Sequence, residues 1–201
     1  MRNLYIDFDG VILDTISVST DLMNKAGIPL ENRAQVMNFF ANLDWQSLLE
    51  NTSEINDSIN CIYKLIASNK FEVTILTHIN SLNEAIEKIH YIRRFFPDIT
   101  IIPVPKLISK TKMVHTKNAI LVDDFVGNLQ EWESEGGIPV RFSRKLDGKG
   151  YKVIDHLDQL LEFEFWKHLF SFFWYNIGGD KNDYKNRFHG LFRRPNAFVG
   201  G

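Results

Sequence analysis

Asp7-Phe8-Asp9-Gly10-Val11 is the stretch whose reading decides the fold. It runs out of Leu4-Tyr5-Ile6, an apolar run that suits a buried strand, and sets two acids and a glycine at that strand's end. The same plan repeats along the chain. Phe71-Glu72-Val73-Thr74-Ile75-Leu76 leads into Thr77, Ile99-Thr100-Ile101-Ile102 into Pro103, and Ala119-Ile120-Leu121-Val122 into Asp123-Asp124. Val140-Arg141-Phe142 is a candidate fifth strand. Between the runs, Ile55 to Ser68 and Leu82 to Phe95 carry apolar residues at three-to-four spacing (Ile59, Ile62, Ile66; Ala85, Ile89, Ile92). Asn128 to Glu135 reads as a helix stopped by Gly136-Gly137. The alternation predicts an α/β fold: a Rossmann-like parallel sheet with helices on both faces.

Residues 15–54 carry no strand signal. Thr20 to Ala26, Arg33 to Asn42 and Trp45 to Leu49 read as short helices. The expectation is a small helical cap inserted after the first strand, over the mouth of the sheet. Residues 1–14 and 55–158 then form the α/β core, and 159–201 an aromatic C-terminal helix and extended tail.

The balance of 23 basic against 25 acidic residues gives a net charge of −2 over 201 residues, which argues against a nucleic-acid or polybasic membrane binder. A 24% charged fraction with 26 aromatics excludes a disordered chain. The lone Cys61 excludes an internal disulfide and a cysteine zinc cage, and fits a reducing cytoplasm. Asp7 and Asp9 interrupt any signal-peptide apolar run, so the expected location is cytoplasmic. Twelve of the 26 aromatics fall in residues 161–201, a stretch of net charge +2. Glu162, Glu164, Lys167 and His168 break that stretch, so no transmembrane helix is expected there.

Strand ends are where open parallel sheets bind ligands. Asp7, Asp9, Asp123 and Asp124 gathered at such ends would repel one another strongly without a counter-charge. A hard divalent cation with oxygen ligands resolves this, and Mg²⁺ is the usual choice beside phosphate.

These residues resemble the motifs of the haloacid-dehalogenase-like (HAD) phosphohydrolase superfamily. Asp7-Phe8-Asp9-Gly10-Val11 matches its Asp-x-Asp-Gly-(Thr/Val) motif, Thr77 its second, and a lysine upstream of Ile120-Leu121-Val122-Asp123-Asp124 its third and fourth. The resemblance covers residues 1–145. Trp45, Asn128-Leu129-x-x-Trp132 and Gly136-Gly137 add a likeness to the small bacterial and phage proteins grouped with cytosolic 5′-(deoxy)nucleotidases. The resemblance implies Asp7 as nucleophile, Asp9 as general acid and base, Thr77 as a donor to a phosphoryl oxygen, and a lysine neutralising another. It implies Mg²⁺ held by Asp7, the backbone carbonyl of Asp9, and Asp123, with Asp124 as a supporting acid. Dehalogenases lack an acid at the position of Asp9 and transport ATPases carry Thr there, so the resemblance points to a phosphatase.

Two lysines compete for the site. Lys110 and Lys112 stand thirteen and eleven residues before Asp123, and Lys110 fits the subgroup's spacing better. His78 is expected to contact substrate or backbone, since Asp9 already supplies acid–base chemistry. Phe39, Phe40 and Trp45 either stack on a nucleobase or pack the insert's own small core. The expected substrate is a small phosphorylated molecule, a nucleotide first, with a sugar phosphate also open.

Phe163, Trp166, Phe170, Phe173, Trp174 and Ile177 mark a helical apolar stripe, which either closes the sheet or meets a homo-oligomer or protein partner. A rival to the enzyme reading follows: a component of a larger assembly that retains the α/β core and docks through its aromatic C-terminus.

Overall fold

The computed structural model describes residues 1–163. The expected aromatic helix and tail therefore lie outside the described residues beyond Phe163.

Six strands, β1 (Arg2–Ile6), β2 (Phe71–Ile79), β3 (Thr100–Pro105), β4 (Ile120–Asp123), β5 (Ile138–Phe142) and β6 (Lys152–Ile154), form one sheet in the order β3-β2-β1-β4-β5-β6. Every pairing is parallel. The expected α/β architecture is the one observed, with a sixth strand that three residues are too few to announce. β2 also runs two residues past Thr77, and β3 extends to Pro105.

The chain moves from β1 to β2 to β3 in one direction and from β4 to β5 in the other. Right-handed crossovers then put α4 (Ser58–Ala67) and α5 (Leu82–Arg93) on one face and α6 (Val126–Ser134) on the opposite one. Strand alternation assigns the side chains. Tyr5 stands level with Thr74 and Leu121, so Leu76 and Leu121 share Tyr5's face; there they form a buried cluster with Val104, Leu129 and Trp132. The Tyr5 and Trp132 rings meet edge-on at 5.3 Å, and Trp132 Nε1 donates to the Ala119 carbonyl at 3.0 Å. Leu4, Ile6 and Ile75 face the other way, toward α4 and α5.

The helical stripes depart from the expected ones in instructive places. On α4, Leu65 is buried where Ile66 is exposed. On α5 the buried positions are Glu84, Ala85, Lys88 and Ile92, so two ionisable residues occupy an inward-facing stripe. Ser81 caps α5 by accepting from the Glu84 backbone N–H at 3.1 Å.

Residues 15–50 hold three helices: α1 (Thr15–Lys25), α2 (Arg33–Asn42) and α3 (Trp45–Glu50). The chain leaves and re-enters at adjacent points. Leu13 and Glu54 form an antiparallel bridge, Asp14 N–H donates to Ser53 O, and Ile55 N–H donates to Ile12 O. Asn32 and Asp44 cap α2 and α3 through their side chains. α2 buries no residue, whereas α3 buries Trp45, Leu48 and Leu49 and packs against α5.

Candidate active site

The sheet reverses its winding between β1 and β4, and the ends of those strands carry Asp7 and Asp123. The Asp7 backbone N–H donates to the Val122 carbonyl, which extends the pairing of the two strands to the acids themselves. One oxygen from each of Asp7, Asp123 and Asp124 lies within 4.8 Å of the others. Three carboxylates without histidine or cysteine are the donor chemistry of a hard divalent cation, so these residues fit Mg²⁺. Burial, then the charges of Asp123, Asp9 and Asp124, pushes the Asp7 carboxyl up to about 8, with Lys110 acting the other way. Asp124 is pushed up to about 7 by burial and by Asp123 and Asp9. Charge of one sign is thus in excess here, and a cation would relieve it.

Asp7 and Asp123 follow the alternation of Tyr5 and Leu121, which places them on the α6 face. Lys110 arrives on that face, because the β3–β4 connection crosses it and its 3-10 turn (Lys110–Lys112) packs on α6. Lys110 is 1% exposed, with Nζ 2.9 Å from Asp7 Oδ1 and 2.7 Å from Asp123 Oδ2. Burial would lower its pKa, but Asp123 and Asp7 outweigh that and keep it charged. Lys112 is 65% exposed and pairs with Glu135, so of the two competing lysines only Lys110 reaches the carboxylates. Asn128 Nδ2 also donates to Asp123 Oδ2, at 2.8 Å, and the Phe125 backbone N–H donates to Asp123 Oδ1.

Asp9 sits in a tight turn. The Phe8 carbonyl accepts from Ile12 N–H at 2.9 Å, Gly10 N–H donates to Leu13 O, and Gly10 adopts φ +71°. The turn leaves Asp9 half-buried beside the acid cluster. Thr77 has the parity of Ile75 and points to the α5 face, where its hydroxyl is 3.5 Å from Asp9 Oδ2.

A residue that sequence reasoning missed joins them. Lys88 of α5, 1% exposed, donates from Nζ to Asp9 Oδ2 at 2.5 Å, Glu84 Oε1 at 2.7 Å, the His78 carbonyl at 3.0 Å and Thr77 Oγ1 at 3.2 Å. The signal was present but looked ordinary: Glu84 and Lys88 at i and i+4 read as a surface ion pair unless one notices that Ala85 and Ile92 lie on the same stripe. Thr15, which donates to Asp9 Oδ1 at 2.7 Å, gave no signal at all.

His78 is half-buried, with the parity of Leu76, and its Nε2 lies 3.0 Å from the Ile108 carbonyl. Because a carbonyl only accepts, Nε2 carries the proton. Burial, then the Lys110 charge, holds the imidazole pKa down to about 4, so the ring is neutral at pH 7. Phe40 and Trp45 stack at 6.2 Å, Phe39 meets Phe40 edge-on at 5.3 Å, and Trp45 Nε1 donates to the Phe40 carbonyl. Trp45 is 3% exposed, and its ring also faces Lys88 Nζ at 5.3 Å. These aromatics pack on one another within the insert. Among the described residues, no helix is long and apolar enough to cross a membrane.

No family model and no curated protein matches the chain. Solved structures do. A HAD-superfamily hydrolase of subfamily IA, variant 1, from Geobacter sulfurreducens superposes with a TM-score of 0.53 at 14% identity, over 81% of this chain and 95% of its own. A hydrolase from Pseudomonas syringae gives 0.53 at 11% identity, over 81% and 97%. The β-phosphoglucomutase of Clostridium difficile gives 0.52 at 16% identity, over 84% and 99%. With its strand order, its acids at the winding reversal and its inserted helices, the chain has the fold of the HAD-superfamily hydrolases.

Proposed function

We propose that this protein is a Mg²⁺-dependent phosphomonoester hydrolase of the HAD superfamily that works through an aspartyl-phosphate on Asp7. One observation carries the reading: Lys110 lies buried between Asp7 and Asp123, a fixed cation beside a carboxylate that already has two acidic neighbours. One lysine shared among three carboxylates leaves the cluster short of positive charge, which suits a nucleophile that works beside a bound cation and must receive a dianionic phosphoryl group.

In this reading an Asp7 oxygen attacks phosphorus as the bond to the leaving oxygen breaks, and Asp9 gives its proton to that oxygen. Water then attacks the phosphorus of the aspartyl-phosphate, its proton returns to Asp9, and the bond to Asp7 breaks. Thr77 and Lys110 bind phosphoryl oxygens. Asp7, the Asp9 carbonyl and Asp123 hold Mg²⁺, with Asp124 supporting; the cation supplies charge neutralisation for the phosphoryl group.

A nucleotide is the first substrate class we assign, within a cytoplasmic setting. The support is the resemblance of Asn128-Leu129-x-x-Trp132 and Gly136-Gly137 to the nucleotidase-like proteins. His78 and Phe40 would contact the bound molecule, with Trp45 acting through Phe40, against which it stacks. The neighbour named a β-phosphoglucomutase keeps sugar phosphates in the panel to be tested. The experiment is a phosphate-release screen of mononucleotides and sugar phosphates, with Mg²⁺ and with chelator, on wild type and Asp7→Asn. Turnover on no substrate, or turnover that survives Asp7→Asn, overturns the reading.

A further inference from the structure

Two buried lysines approach the carboxylates from opposite faces of the sheet, and only one of them has a place in the mechanism above. Lys110 comes from the α6 face to Asp7 and Asp123; Lys88 comes from the α5 face to Asp9 and Thr77. A lysine buried to this degree is costly unless its charge is paired and hydrogen-bonded. The three ammonium protons of Lys88 face four acceptors: Asp9 Oδ2, Glu84 Oε1, the His78 carbonyl and Thr77 Oγ1. No donor is left over for a substrate phosphate, so Lys88 acts through its partners.

Those partners divide into an anchor and a load. Glu84 is the anchor: it lies one helical turn before Lys88 on the same stripe, and its other oxygen accepts from the Asn80 backbone N–H at 2.6 Å and from Asn80 Nδ2 at 3.0 Å. Asp9 is the load. Its two oxygens are pinned from two sides, Oδ1 by Thr15 at the start of α1 and Oδ2 by Lys88 of α5. Phe8 and Trp45 close over the ammonium, each ring centroid 5.3 Å from Nζ, which keeps water from competing for it.

We infer that Lys88 is a positioning residue that fixes the Asp9 carboxyl for both of its proton transfers, held in turn by Glu84 and roofed by Trp45 of the insert. This rests on the phosphatase reading. A buried ion pair is a weak source of stability and can be exchanged for apolar or neutral groups without loss of fold, but removal of one partner alone leaves a buried charge. The test variant is therefore Lys88→Met/Glu84→Gln, with Lys88→Gln/Glu84→Gln, which keeps a neutral donor and leaves no buried charge at Glu84, as the alternative should the first not fold.

The probes are 2,4-dinitrophenyl phosphate, whose phenolate leaves without a proton, and phenyl phosphate, whose phenolate does not. With the dinitrophenyl ester, the variant is expected to release one phenolate per active site at close to the wild-type rate. It then stalls, its steady-state rate lower by about 10²-fold or more, because hydrolysis of the aspartyl-phosphate needs Asp9 in place. With phenyl phosphate the first turnover is itself slowed to a similar degree. General damage to the site would slow the first dinitrophenyl turnover as much as the steady state, and that result overturns the inference. So do steady-state rates within about threefold of wild type on both esters. A wild-type protein that releases no phenolate in an Asp7-dependent way overturns the phosphatase reading and this inference with it. An active wild type with an unaffected variant overturns this inference alone.

Discussion

A β-carbon on Gly10 would stand 2.5 Å from Oδ2 of Asp124, so the turn that carries Asp9 and the residue that follows β4 meet through a missing side chain. The same glycine has φ +71°, a conformation that other residues adopt only at a cost of about 1–2 kcal/mol. Gly27 separates the two effects: its φ is +65°, yet no atom lies within 4 Å of where its β-carbon would be. Gly27→Ala is expected to cost about 1–2 kcal/mol in urea unfolding and to leave turnover unchanged. Gly10→Ala is expected to cost about 2–4 kcal/mol and to abolish most phosphate release, since Asp124 must be displaced from the acid cluster. Equal effects of the two substitutions on activity would show that the close approach is immaterial.

Lys110 and Lys112 are two residues apart and are expected to behave as opposites. Lys110→Met leaves Asp7 and Asp123 buried without their cation, so a loss of about 3–5 kcal/mol in stability and about 10²–10³-fold in kcat/KM is expected. Lys112→Met removes an exposed pair with Glu135 and is expected to change stability by less than about 1 kcal/mol, with kcat/KM unchanged. Parallel assays of the two variants decide it, and retained turnover in Lys110→Met removes that lysine from the mechanism.

What was legible in the sequence was what is local. Asp7, Asp9, Thr77 and Asp123-Asp124 each follow or close an apolar strand, so the strand pattern alone brings them to one edge. Lys110 needed the topology: its connection crosses the sheet from β3 to β4, a path that spacing to Asp123 only hints at. Lys88 was hidden by its company, because a glutamate and a lysine four apart are ordinary on a solvated helix and here the pair is turned inward. Trp45 shows the same limit. Its aromatic ring announces contact with something, and the packing that decides what, Phe40 on one hand and Lys88 on the other, is tertiary.

His78 links β2 to the loop that delivers Lys110, and its titration gives the acid limb of stability a defined window. The unfolded chain protonates His78 below its ordinary value of 6.5, while the folded protein resists until about pH 4. Proton uptake in that interval favours unfolding, so stability falls as the pH drops from 6.5 to about 4 and this contribution is spent below it. His78→Gln keeps a donor for the Ile108 carbonyl without the titration. Urea midpoints measured from pH 7 to pH 4.5 should fall less steeply in His78→Gln than in wild type, and identical slopes would contradict the burial of the ring.

Removal of metal supplies the last expectation. Asp7, Asp123 and Asp124 bring oxygens to within 4.8 Å in the folded chain, whereas in sequence Asp7 stands 116 residues before the adjacent Asp123 and Asp124. A cation that binds there binds only the native state. At a free Mg²⁺ concentration of about 100 Kd, the gain is about 2.7 kcal/mol, which for a chain of this size raises Tm by roughly 5–10 °C. Chelator should reverse the shift. Asp123→Asn keeps an acceptor for Lys110 and Asn128 through its amide oxygen but turns its NH2 toward the Phe125 N–H, so it is expected to fold with a loss of about 1–3 kcal/mol and to show little shift with Mg²⁺ because a ligand charge is gone. Scanning calorimetry of both proteins with Mg²⁺ and with chelator makes the comparison. An equal Mg²⁺ shift in the two would place the cation away from the end of β4.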